Sequence, residues 1–195
     1  MVSEAGGGER MARAVEGYAS VVNLALRGGD WHEGLDETPH RAAKAMIEMT
    51  GGYDVDIASL FKTFPSEGYD EIVVVSGIPF VSLCEHHLLP FIGRASIAYL
   101  PGDRIVGLSK LARLVEAYAR RLQVQERMTR QIADALDEHL TPKGTGVVVE
   151  AEHMCMACRG VRTHGVAAVT SSMRGVMRDN PETRAEVLAL LTTGG

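Results

Sequence analysis

The chain has 195 residues, 46% of them hydrophobic, which is enough for one sizeable core and short for a second full domain. A formal net charge of -5 gives no diffuse basic surface for nucleic acid or an anionic membrane, so an anionic ligand has to be met by a local basic cluster. No apolar run reaches the roughly 20 residues that span a bilayer, and the opening MVSEAGGGERMARAVEG lacks a secretory apolar core, so a cytoplasmic protein is expected.

Over residues 9–27, Met11, Val15, Tyr18, Val22 and Leu26 recur at helical spacing until Gly28 and Gly29 stop the pattern. Thr38 as N-cap with Pro39 at the first helical position opens a second helix, which runs to Gly51 and Gly52 and carries His40, Arg41 and Lys44. Residues 71–83 are rich in Val and Ile, broken by Gly77 and Pro79, and 91–100 form a second strand closed by Pro101 and Gly102. Leu111, Leu114, Val115 and Tyr118 then mark the apolar face of a helix over 109–121. Val124, Met128, Ile132, Ala135 and Leu136 mark the next helix. After the turn Thr141-Pro142-Lys143-Gly144, residues 147–159 read as one long strand and 161–172 as its hairpin partner or a continuation of the sheet. Asn180-Pro181 starts a last helix with Val187, Leu188, Leu190 and Leu191 as its buried residues. Strands and helices come in runs and not in βαβ alternation, which predicts an α+β fold with an antiparallel sheet.

Three cysteines, Cys84, Cys155 and Cys158, do not make a disulfide framework and point to metal binding or reactive thiols. Cys84-Glu85-His86-His87 is the densest run of ligand-type residues, and Cys84 and His87 can chelate one metal through a tight turn. His153-Met154-Cys155-Met156-Ala157-Cys158-Arg159 adds nitrogen and sulfur donors of the kind that suits zinc. Strand alternation puts His153, Cys155 and Arg159 on one face and Met154, Met156 and Cys158 on the other. Cys84, His87 and Cys155 then leave a fourth position open, as in catalytic zinc sites that acidify a water. A bulge near Met156 would instead bring Cys158 in and close the site. His86 and His153 stand beside the ligands as proton carriers. A lone Cys-x-x-His is a weak signal, since buried cysteine is often a small apolar residue, and both histidines have a bland reading as polar residues at a sheet edge.

Ser109 as a helix N-cap, with Lys110 and Arg113 on the early turns, suggests an anion site where the helix dipole already favours negative charge. The alternative is ordinary solvated helix charge, which is also the default for Gln125, Glu126 and Arg127.

Taken in order, SLCEHHLLPFIGRASIAYLP, VGLSKLARLVEAYARRLQVQERMTRQIADAL, GVVVEAEHMCMACRG and VTSSMRG, preceded by Thr38-Pro39-His40-Arg41, resemble the GTP cyclohydrolase I family. The stretch Thr163-His164-Gly165-Val166-Ala167-Ala168 is looser than the family pattern. The resemblance implies Cys84, His87 and Cys155 as zinc ligands and His86 and His153 as acid and base catalysts, with Ser109 acting in a later sugar rearrangement. It implies that Glu126, helped by Gln125, recognises guanine, that Lys110, Arg113 and Arg159 hold the triphosphate, and that Arg41 reaches it from an adjacent subunit. The implied reaction converts GTP to 7,8-dihydroneopterin triphosphate with release of formate, the first step of tetrahydrofolate and pterin biosynthesis. The implied fold is the tunnelling fold, an antiparallel sheet with helices on one face that closes into a barrel by oligomerisation, in a homodecamer with active sites shared between subunits. Neither nucleic acid nor a membrane is an expected partner. Residues 1–35 are expected as a helical extension and 36–195 as the catalytic domain. Two rivals remain at this level: a zinc-stabilised module that holds GTP without turnover, and an arrested enzyme that stops at an opened formamidopyrimidine.

Overall fold

A computed structural model describes residues 4–192 of the chain, with side chains over 7–191. The backbone divides into two compact units, Met1–Thr50 and Gly51–Gly195. In the first, helices α1 (Glu4–Leu26) and α2 (Thr38–Met49) pack together, joined through a short 3-10 turn at Glu33–Leu35. Trp31 Nε1 donates to Asp36 Oδ1 at 2.8 Å in that connection. Thr38 is not the N-cap of α2. Glu37 takes that place without a side-chain cap bond, and Thr38 and Pro39 both lie in the first turn, where proline's missing N–H has no helical partner to lose.

The second unit contributes strands β1 (Thr63–Pro65), β2 (Val73–Cys84), β3 (Pro90–Leu100) and β4 (Arg104–Val106), then helix α3 (Leu108–Ala119) and strand β5 (Leu122–Gln123). Helix α4 (Gln125–Leu140), strand β6 (Gly144–His153), the single turn α5 (Met154–Ala157), strand β7 (Ala167–Gly175), α6 (Val176–Asp179) and α7 (Pro181–Thr192) follow. A five-stranded sheet runs in the order β5-β2-β3-β6-β7, antiparallel except for the short parallel pair of β2 with β5, while β1 and β4 form a separate ribbon. This is the α+β architecture with an antiparallel sheet that the run order predicts. Gly77 does break β2: its φ is 70°, and the register with β3 shifts between Val75 and Ile78.

Side-chain alternation builds the core. Ala95, Ile97 and Tyr99 of β3 and Val147, Val149 and Ala151 of β6 face one way and pack with Leu111, Leu114 and Val115 of α3 and Met128, Ile132 and Leu136 of α4. Each large side chain buried there contributes about 1.5–3 kcal/mol over its exposed state. On the opposite face Ala98, Met173, Met177, Val187 and Leu191 form a smaller cluster, which covers the sheet end where Leu100 pairs with Gly144. Asn180 caps α7, its Oδ1 accepting the Thr183 N–H at 2.9 Å, as the Asn180-Pro181 start predicts. Leu190, expected in the core, is 42% exposed, because it lies off the stripe set by Val187 and Leu191.

Two further boundaries differ from the sequence reading. Gly107, and not Ser109, is the N-cap of α3, so Ser109 falls inside the first turn. The long strand expected over 147–159 ends at His153, and the chain then turns helical through Met154–Ala157.

Candidate active site

Three strand ends meet at one end of the sheet: β2 stops at Cys84, β3 starts at Pro90, and β6 stops at His153 opposite Phe91. The link between β2 and β3 is closed tightly. Cys84 O accepts the N–H of His87 at 3.3 Å and of Leu88 at 2.8 Å, and Cys84 N–H donates to Leu89 O at 2.9 Å. That curl returns both histidines to the cysteine, with Nδ1 of His86 and Nδ1 of His87 each 3.8 Å from Cys84 Sγ. Cys155 joins from α5, and among the described residues the ligand atoms of Cys84, His87 and Cys155 lie within 4.8 Å of one another.

Strand parity does not explain Cys155, because the residue is not on a strand. A helical turn after His153 carries it to Cys84, and the same turn sends Cys158 away: its Sγ donates to Met154 O at 2.9 Å, and the residue is exposed. The group therefore has three donors, with no fourth from Cys158.

The donor set fits zinc on geometry and charge. Tetrahedral bonds of about 2.3 Å to sulfur and about 2.0 Å to nitrogen place two such donors about 3.5 Å apart, near the Cys84–His87 separation of 3.8 Å. Burial, and then the adjacent Cys84 sulfur, push the Cys155 thiol above its ordinary range. Two thiolates side by side are costly without a cation, and a divalent metal between them removes that cost while releasing their protons.

His153 belongs to the same face as Val149 and Ala151, beneath the start of α4. Its ring stacks on Phe91 with centroids 4.7 Å apart and planes 2° from parallel, and its Nε2 lies 2.7 Å from Gln125 Oε1. Burial holds its pKa below the ordinary histidine value, with the Glu126 carboxylate acting in the opposite sense. Burial thus favours the neutral form of the ring. His86 is exposed, 3.9 Å from Glu85 Oε1 through its Nε2. Arg159 Nη1 comes within 3.4 Å of His87 Nε2, which places an exposed guanidinium beside the cluster.

Glu126 stands exposed on the first turn of α4. Gln125, read from sequence as part of an exposed face, is 2% exposed, with its amide turned inward. Lys110 is half-buried and Ser109 and Arg113 are exposed on the early turns of α3. Among the described residues, these α3 side chains make no hydrogen bond or ion pair with the cysteine–histidine group. Arg41 lies exposed on α2 of the first unit. The sequence reading missed Phe91, Glu85 and Arg127. Glu85 sits within the Cys84–His87 run, yet its partner Arg127 is distant in sequence and leaves no local signal.

The family model described as GTP cyclohydrolase I matches residues 21–192 of the chain. The chain belongs to that family. The GTP cyclohydrolase 1 of Synechococcus sp. (strain JA-2-3B'a(2-13)) is 54% identical over 176 residues, covering 88% of this chain and 77% of the relative. The GTP cyclohydrolase 1 of Homo sapiens is 50% identical over 175 residues, covering 89% of this chain and 70% of the relative. A crystal structure of the archaeosine synthase QueF-like in the apo form superposes with a TM-score of 0.46 at 15% identity, covering 55% of this chain and 96% of that one. The α+β architecture described above is the tunnelling fold of the family. Among the described residues no helix is long and apolar enough to cross a membrane.

Proposed function

We propose that the chain hydrolyses and rearranges GTP to 7,8-dihydroneopterin triphosphate with release of formate, the first step of tetrahydrofolate and pterin biosynthesis. What supports this reading is the convergence of Cys84, His87 and Cys155 with the ring-stacked His153 in a chain that the family model spans almost throughout. Cys84, His87 and Cys155 would hold a zinc ion, and such an ion, when bound, supplies an acidified water near neutral pH.

The side chains do the rest. His153 carries a proton to N7 of the purine, which makes C8 a better electrophile, and the stack on Phe91 keeps its ring from turning away. His86, exposed beside the cluster, carries protons for opening of the ribose, with Ser109 serving the sugar rearrangement. The Glu126 carboxylate accepts hydrogen bonds from the guanine N1 and N2 edge. Lys110, Arg113 and Arg159 hold the triphosphate, which never reacts and so serves as a handle that positions the base. Arg41 reaches that triphosphate from a neighbouring subunit of a homodecamer, residues 36–195 form the catalytic domain with 1–35 as a helical extension, and the protein works in the cytoplasm.

The test incubates zinc-loaded protein with GTP and quantifies formate and oxidised fluorescent pterin in one sample, with and without a chelator. Equal amounts of both, abolished by chelation, are expected. Formate without pterin would mean an arrested enzyme, and GTP bound without either product would mean a binding module.

A further inference from the structure

His153 has two ring nitrogens, and the roles assigned above require one of them to face the purine. Gln125 decides which one. Its Nε2 lies 3.1 Å from Val149 O, 2.9 Å from Ala168 O and 3.2 Å from Thr170 Oγ1, and its Oε1 lies 2.7 Å from His153 Nε2.

The orientation of that amide is fixed by two independent features. Backbone carbonyls accept and never donate, so turning the amide over would aim Oε1 at the carbonyls of Val149 and Ala168 in a buried site. The hydroxyl chain gives the same answer. Thr129 Oγ1 donates to Gln125 O at 2.8 Å, so in its 2.7 Å contact with Thr170 Oγ1 it accepts, and the Thr170 hydrogen is spent there. Thr170 Oγ1 is left as an acceptor toward Gln125, which requires the amide nitrogen to face it.

With Oε1 committed to His153, the imidazole Nε2 must supply the hydrogen. A neutral imidazole has one N–H, so its lone pair is on Nδ1. We infer that Gln125 is a positioning residue that holds neutral His153 as the Nε2–H tautomer, so that Nδ1 is the nitrogen through which protons reach the substrate. The step balances on that atom. Nδ1 takes up a proton to give the imidazolium, Nε2–H stays on Gln125 throughout, and Nδ1 then gives the proton to purine N7 and recovers its lone pair. This rests on the reading of His153 as the group that handles the N7 proton, and it removes Gln125 from the set of guanine contacts, since each of its amide positions already has a protein partner.

The test is the solid-state 15N spectrum of histidine-labelled, zinc-loaded protein at mildly alkaline pH, with the His153 signals assigned by their loss in His153→Gln. A protonated-type Nε2 and an unprotonated-type Nδ1 are expected. The reverse pattern overturns the inference without any variant of Gln125. In Gln125→Leu the fixed pattern should give way to mixed tautomers, and kcat should fall about 10- to 100-fold with KM nearly unchanged. A rise in KM at unchanged kcat would make Gln125 a guanine contact after all. An inactive wild type would count against the reaction itself, while the ring signals would still decide the tautomer.

Discussion

Arg127, on the first turns of α4, donates from Nη2 to Oε2 of Glu85, the residue between Cys84 and His86. Its Nε donates to Gln123 Oε1 at 3.2 Å, Gln123 Nε2 continues to Gln131 Oε1 at 2.8 Å, and the Gln123 carbonyl accepts the Glu85 N–H at 3.0 Å. The turn that presents Cys84 and His87 is therefore braced through both its backbone and its side chain. Such outer contacts orient metal ligands, and losing them typically costs 10- to 100-fold in affinity. Arg127→Ala should weaken zinc binding by about that factor, read by competition with a chromogenic chelator, while the circular dichroism spectrum stays that of the wild type. Unchanged affinity would reduce the brace to a surface ion pair.

Metal binding and proton transfer should separate by residue. Cys155→Ala is expected to lose zinc and turnover together. His153→Ala should keep zinc and lose about 10²- to 10⁴-fold in kcat, the usual worth of a positioned acid or base. Cys158→Ser should change neither, since Cys158 Sγ is turned toward Met154 O. Metal content by mass spectrometry alongside turnover checks all of these, and equal zinc loss in the Cys155 and His153 variants would contradict the division.

Gly93 is required by the closeness of β3 and β6. A Cβ built there would sit 1.9 Å from Glu150 O and 2.6 Å from the Ala151 Cβ, so strand backbone would have to move. Gly93→Ala should destabilise by about 3 kcal/mol, at the upper end of ordinary overpacking, measured by urea unfolding. A cost under about 1 kcal/mol would mean that the sheet yields easily at this point.

Alkaline pH should weaken the fold through Tyr99. Burial raises its phenol above the ordinary 10.0, the Val106 N–H that its oxygen accepts at 3.4 Å works against the rise, and Tyr69 adds to it. Above about pH 10 the unfolded chain has lost this proton while the native state keeps it, so stability falls as pH rises. Tyr99→Phe should flatten that alkaline slope, at a cost near neutral pH of about 1–3 kcal/mol for the unpaired Val106 N–H. Denaturation midpoints measured from neutral to strongly alkaline pH test it, and an unchanged slope would assign the effect to other groups.

Local spacing carried much of this protein. The apolar stripes of α3 and α4, the strand run of β3, the break at Gly77 and the start of α7 at Asn180-Pro181 are all legible in the sequence, because each depends on residues within a turn or two of one another. The same holds for the Cys84–His87 run, whose two candidate donors lie within one tight turn. Where the helix caps differ, at Glu37 and Gly107, the shift is one or two residues and no side-chain cap bond marks the place.

The remaining relationships depend on partners far apart in the chain. The β3–β6 register sets Phe91 opposite His153, and the helical turn that replaces the last stretch of strand swings Cys155 to Cys84 and Cys158 outward, a result that alternation alone reached by the wrong route. Gln125 looks like a surface residue in a polar run, and its burial follows from the carbonyls of β6 and β7 that its amide meets. Hydrogen bonds and packing across a sheet are fixed by register, which no short window of sequence contains, and so the candidate donor residues could be named from sequence while the aim of each side chain could not.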